Sequence, residues 1–287
     1  MKRKSMFGLC VVAALAAFAI SAMAASSASA GTYYSCVAKK NGKYAAGCKT
    51  KVTKKGKAEL SPLNLCIAKK KGKYTSGTCT VLAKPGKGKF EKVAGPKFTA
   101  STGEAVLTTP DLGSGAVKCK ASTTTGELNG PKTSTERVTF TGCEFETLPC
   151  ESAGPDSTPS GKSGVIITNL LDNKLIDHGE KGPSGGEPAV GEVWVDLESS
   201  EHQPYQAEFN CAGVVFLRTL GTISGAYTSG SVNVFSANST ILFEAGKGEQ
   251  DLGTEALTES GWVGPFPSNE QAGAAAVVTT PAVEVRS

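Results

Sequence analysis

The sequence predicts an all-β protein in which small disulfide-stapled β-hairpin repeats precede an antiparallel β-sandwich or barrel domain. Three observations lead there. From Phe98 onward, short β-rich runs alternate with Gly, Pro, Ser and Asp, and no amphipathic helix of ordinary length is present. Ahead of them a cysteine- and lysine-bearing motif occurs twice, thirty residues apart. Eight cysteines follow residue 30, four on each side of Gly95-Pro96, an even division that suits disulfides within each half.

Residues 1–30 carry Lys2-Arg3-Lys4, an apolar run from Met6 to Ile20, and exits at Ala22-Met23-Ala24 or Ala28-Ser29-Ala30. A basic start, a short apolar core and an A-x-A exit describe a secretory signal peptide that removes Cys10 with it, and the core is too short for a comfortable membrane span. No second such run follows. The expectation is an exported chain, extracellular or envelope-associated, with no integral membrane segment after cleavage.

Residues 31–97 hold 17 lysines, no arginine and two acids, Glu59 and Glu91, whereas residues 98–287 hold 10 basic residues against 24 acids. This separation of about +15 from −14 concerns partners rather than fold. Within the basic segment, Cys36-Val37-Ala38-Lys39-Lys40-Asn41-Gly42-Lys43-Tyr44 recurs as Cys66-Ile67-Ala68-Lys69-Lys70-Lys71-Gly72-Lys73-Tyr74, each copy continuing to a second cysteine, Cys48 or Cys79. A repeat of this length is one supersecondary unit. Asn41-Gly42 tolerates positive φ and predicts a hairpin turn there, with Cys36 set opposite Cys48. The same pairing in the second copy, Cys66 with Cys79, must absorb one extra residue, Thr78. Such small units bury little, so a staple in each is a sensible source of stability.

Residues 98–263 form the acidic all-β domain. Candidate strands lie at 104–108, 116–122, 137–141, 164–169, 190–197, 205–210, 214–219, 222–227 and 240–244. Cys143 and Cys150 flank a short loop and are expected to pair, leaving Cys119 with Cys211. Stretches 152–163 and 179–188, rich in Gly, Pro and Ser, suggest mobile loops. Residues 264–287 give little structural signal and are expected to form a poorly structured tail.

Catalytic patterns fail on context. Gly182-Pro183-Ser184-Gly185-Gly186 satisfies G-x-S-x-G, with Asp196 and His202 after it, but no strand-to-helix elbow surrounds it. Gly161-Lys162-Ser163 lacks the earlier glycine of a phosphate loop, since Asp156 stands there, and a strand pattern follows it. His178 and His202, with Asp172 or Glu180, have no metal-ligand spacing. Asn238-Ser239-Thr240 is a short match to a glycosylation sequon. No catalytic residue, cofactor or metal is assigned.

The repeat C-x-A-K-K-x-G-K-Y, with Val117-Lys118-Cys119-Lys120, Thr125-Gly126-Glu127-Leu128, Phe140-Thr141-Gly142-Cys143 and Phe209-Asn210-Cys211-Ala212-Gly213, resembles a group of uncharacterised secreted proteins from soil actinobacteria. The resemblance implies export and a β-rich body, and carries no catalytic residues.

The lysines either keep a small, poorly buried module soluble or form a polyanion-binding face of Lys39, Lys40, Lys43, Lys69, Lys70, Lys71 and Lys73 with Tyr44 and Tyr74 beside them. Lysine without arginine favours diffuse attraction over bidentate phosphate recognition, which argues against sequence-specific nucleic-acid reading. The leading expectation is a non-enzymatic protein that attaches to an anionic polymer, such as a cell-wall glycan, and presents its β domain. Alternatives are an exported hydrolase with a basic attachment module, and self-assembly of the basic half with the acidic domain of another copy. A deep acidic pocket with convergent polar groups would favour the hydrolase, a filled barrel with flat polar loops the binding or structural role.

Overall fold

A computed structural model describes residues 31–112, 115–177, 193–200, 204–228, 230–248 and 250–286. The expected signal peptide, the 179–188 loop, the G-x-S-x-G match, Glu180 and both histidines lie outside the described residues. Among those described, no helix is long and apolar enough to cross a membrane.

The basic segment forms two ribbons, β1 (Thr32–Tyr44) with β2 (Lys51–Pro62), and β3 (Cys66–Gly72) with β4 (Gly88–Lys92). The expected hairpin turn at Asn41-Gly42 is absent, because these residues lie inside β1. Asn41 takes φ 63° and Lys71 in the second copy takes φ 61°, each beside a register shift in its ladder. The glycine that follows is required by close approach of the opposite strand. A Cβ on Gly42 would lie 2.1 Å from the Ala58 carbonyl oxygen, and one on Gly72 2.2 Å from that of Phe90. The signal that resembled a turn is a bulge.

The chain reverses beyond Tyr44, where Ala45 N–H donates to Thr50 O at 2.9 Å and Cys48 N–H donates to Ala45 O at 3.2 Å. Cys36 is bonded to Cys48, and Cys66 to Cys79. In each case the second cysteine sits in the reversal at positive φ, folded back on the strand rather than opposite its partner in a ladder.

The acidic segment supplies β5 (Lys97–Thr102), β6 (Ala105–Thr108), β7 (Ala116–Cys119), β8 (Ala121–Leu128), β9 (Thr133–Thr141), β10 (Glu144–Phe145), β11 (Leu148–Ser152), β12 (Val165–Ile167) and β13 (Leu171–Asp177). It continues through β14 (Val193–Ser199), β15 (Ala207–Cys211), β16 (Val215–Leu220), β17 (Thr222–Tyr227), β18 (Ser236–Phe243), β19 (Gly253–Thr258), β20 (Gly261–Pro267) and β21 (Asn269–Arg286). Eight of these close an antiparallel barrel in the order β5–β8–β9–β13–β14–β17–β18–β21, with β21 returning to β5. Eight others build a second sheet, β6–β7–β10–β11–β15–β16–β19–β20, joined to the barrel where Asn269–Ala272 of β21 pairs with β6, and the short β12 pairs with β9.

The barrel wall follows the period-two rule. On β8 and β9, Ser122, Thr124, Leu128, Ser134, Glu136 and Val138 are buried, while Thr123, Thr125, Thr133 and Arg137 are exposed. Leu171, Leu175 and Val193 are almost wholly enclosed in the core inside.

Two expectations are corrected in this half. Residues 264–287 contain an 18-residue strand rather than an unstructured tail. Its small side chains gave a faint signal, yet Ala275, Val277 and Thr279 are buried between exposed Ala276, Val278 and Thr280. The cysteines pair as Cys119 with Cys143 and Cys150 with Cys211, not as Cys143–Cys150 and Cys119–Cys211. Cys143 and Cys150 are neighbours across the β10–β11 hairpin, and Cys150 N–H donates to Cys143 O at 2.9 Å. Cys150 also stands directly opposite Cys211 in the ladder, and all four pack in one core cluster. Tertiary adjacency therefore decides the pairing, not the shortest loop.

The 152–163 stretch is a loop after its first residue, but it is pinned. Asp156 N–H donates to Glu208 Oε2 at 2.8 Å, and Thr158 Oγ1 donates to Asn169 Oδ1 at 3.0 Å.

Candidate functional site: lysine ribbons and a barrel cavity

Two places offer surfaces for binding. The first is the pair of ribbons. Residues 37–41 and 67–71 are exposed at every position, so both faces of β1 and β3 meet solvent there. All 17 lysines of the basic segment are exposed. Lys39, Lys40 and Lys43 lie on β1, Lys69, Lys70 and Lys71 on β3, and Lys73 just after it. Tyr44 ends β1 and Tyr74 lies just beyond β3, each half-buried.

Both acids of the segment are engaged locally. Glu59 pairs with Lys39, whose hydrogen bond holds its carboxyl below the usual range, and Glu91 lies 3.9 Å from Lys69 and 3.8 Å from Lys73. Val37 and Ile67, at equivalent places in the motif, are also exposed.

The ribbons are not an independent module. Thr32, Tyr33 and Tyr34 pair with Arg286, Val285 and Glu284 of β21. Tyr33 donates its N–H to Pro131 O at 2.7 Å and accepts from Leu63 N–H at 2.8 Å, and its side chain enters the barrel core. Leu63 and Leu65, between the ribbons, pack against the same core. Arg286 lies over the Tyr34 ring at 4.4 Å.

The second place is a cavity of about 130 Å³ inside the barrel. Its walls are mainly apolar, with Phe98, Leu171, Val195, Leu197, Ile223 and Val277 among them. Among the polar side chains that also line it, five on four strands are linked to one another. Tyr33 and Tyr227 hydroxyls are 3.3 Å apart, Tyr33 also bonds Ser134, Asn173 Nδ2 donates to Ser134 Oγ at 3.2 Å, and Asn173 bonds Glu136.

Burial dominates their ionisation. It raises the Glu136 carboxyl to about 7 against the lowering effect of Asn173, and raises the Tyr33 phenol to about 12. The Tyr227 phenol is likewise pushed well up, first by burial and then by Tyr33. Glu270, which keeps partial exposure, also lines the cavity and is raised to about 7 by burial. The cavity is neither a deep acidic pocket nor a filled interior.

The rejected patterns have structural explanations where they are described. Ser224 Oγ donates to buried Asp196 at 2.6 Å, and Gly161-Lys162-Ser163 precedes strand β12 rather than a helix. Asp172 is exposed on β13. Sequence reasoning passed over Tyr33, Glu136 and Asn173. The alternation Ser134, Glu136, Val138 was the available signal, because it places an acid on the inward face. No protein-family model, curated protein or solved structure matches this chain.

Proposed function

We propose that this is a non-enzymatic, secreted binding protein whose two lysine ribbons attach it to an anionic polymer of the cell envelope or its surroundings. The barrel is then held away from that surface. The observation that supports this reading is the solvent exposure of all 17 lysines of the basic segment, five of them in the stretches 37–41 and 67–71 that are exposed at every position. Among the described residues, the ion pairs of Lys39, Lys69 and Lys73 are made within the basic segment, to its own two acids. Cations meant only for solubility have no need to be gathered in one region. A dense lysine array gains attraction from a charged polymer through release of its counterions.

The test is cosedimentation with anionic cell-wall glycan, and separately with DNA, at low and near-physiological salt. Truncation at Phe98 is unsuitable because it removes Tyr33 from the barrel core, so the comparison is a full-length variant with Lys39, Lys40, Lys43, Lys69, Lys70, Lys71 and Lys73 changed to Gln. Polymer binding by the native chain that falls steeply with salt and is lost in the variant supports attachment. Equal binding by both proteins, or none by either at low salt, refutes it. Pelleting without polymer that rises with protein concentration would favour self-assembly instead.

A further inference from the structure

We propose that the barrel cavity is a binding site for one small, ring-sized apolar molecule bearing a primary ammonium group, which Glu136 and Asn173 receive. This goes beyond attachment through the lysines and does not depend on it.

Size comes first. A cavity of about 130 Å³ is close to the ~150 Å³ apolar cavity known to admit one benzene ring. Fatty chains and polycyclic ligands are too large. Its predominantly apolar wall would receive such a ring without unpaired polar loss.

The polar cluster then defines the head group. Asn173 is 3 % exposed and lines the cavity, and its Oδ1 is buried with no hydrogen-bond partner. Its Nδ2 is occupied by Ser134, so the amide is oriented with its acceptor unused. Leaving a buried acceptor empty costs about 1–3 kcal/mol, which a matching donor recovers. Beside it stands the Glu136 carboxyl, hydrogen-bonded to the same Asn173. Two adjacent acceptors call for a head with at least two donors. A hydroxyl has one, whereas a primary ammonium has three and also supplies the charge that a desolvated carboxylate lacks.

Among the described residues, burial and Asn173 are the influences on the Glu136 carboxyl, and no charged side chain acts on it. On its flanking strands Gly126 of β8 and Leu171 of β13 stand opposite it. Tyr33 from β1 and Tyr227 from β17 are electrostatically coupled to it, and both phenols stay protonated near neutral pH. Glu270 is the other carboxyl lining the cavity and is handled by its own variant.

The experiment is calorimetric titration of the full mature chain with benzylamine, benzyl alcohol and toluene at pH 8 and pH 6. Benzylamine should bind at least tenfold more tightly than toluene at pH 8 and lose about tenfold at pH 6, as Glu136 takes up its proton while the amine keeps its own. Glu136→Gln should abolish both the preference for the amine and the pH dependence while toluene binding persists, which shows that the variant is folded and its cavity intact. Glu270→Gln should leave the preference unchanged. The proposal is overturned if no probe binds, if benzylamine binds no better than toluene, or if Glu136→Gln binds benzylamine as the native chain does. Transfer of the effect to Glu270→Gln would also overturn it.

Discussion

Replacing Glu136 with Gln should stabilise the protein, by an amount set by pH. Glu136 is 8 % exposed, and its carboxyl is raised by burial from 4.5 to about 7. Below pH 4.5 the group is protonated in both folded and unfolded chains and contributes no difference. As pH rises toward 7, the unfolded chain ionises while the folded one keeps its proton, so stability falls. Above about pH 7 the loss is complete. A displacement of this size corresponds to about 3 kcal/mol at ~1.4 kcal/mol per unit.

Gln has nearly the same shape, can still bond Asn173 and never ionises. Urea unfolding with disulfides intact should therefore give the variant a midpoint higher by on the order of 1 M at pH 8, with the difference vanishing at pH 4. Taking the difference between the two proteins cancels Glu270 and the other carboxylates. Equal stability at pH 8, or the same difference at pH 4 and pH 8, would refute the assignment of a strained, uncharged-environment carboxyl to this position.

Other perturbations probe the rest of the fold. Changing Cys150 and Cys211 together to Ala opens a 61-residue loop and should cost about 4 kcal/mol in denaturant, more than the ~3.5 kcal/mol for the 24-residue Cys119–Cys143 loop. Gly42→Ala should disrupt the first ribbon, because its Cβ would meet Ala58 O at 2.1 Å, and amide exchange should rise in β1 and β2 while the barrel strands stay protected. Arg218→Lys should lower stability by ~1–2 kcal/mol. The guanidinium is stacked 4.0 Å from the Tyr205 ring and 4.2 Å from that of Trp262 and is paired with Glu255, and lysine offers neither the plane nor the fork.

The all-β class was legible because alternation and turn residues are local properties, and strands such as β16 and β17 fall close to where the pattern puts them. β13 was not. Leu171, Asn173 and Leu175 alternate inward, but Asn173 breaks the apolar series and Asp172 and Lys174 make the run look like a loop. β9 was recognised only from Arg137 onward, which left out the residue that matters most to the cavity. Asn41-Gly42 has the backbone freedom of a turn and uses it in a bulge, a choice made by the approach of β2. The pairing of Cys119, Cys143, Cys150 and Cys211 and the Tyr33 anchor depend on strands distant in sequence, whereas the two ribbon disulfides were legible in the local repeat.

Strand β21 touches β1, β5, β6 and β18, so it is the seam along which both the barrel and the first ribbon are fastened. It is also the last described strand in chain order. A chain lacking β21 has open edges on β5 and β18 and leaves Thr32–Tyr34 without its ladder partner. Open edges of this kind invite pairing with other chains. Closure of the barrel thus waits for β21, and a chain truncated before Asn269 would be an aggregation hazard rather than a smaller working protein.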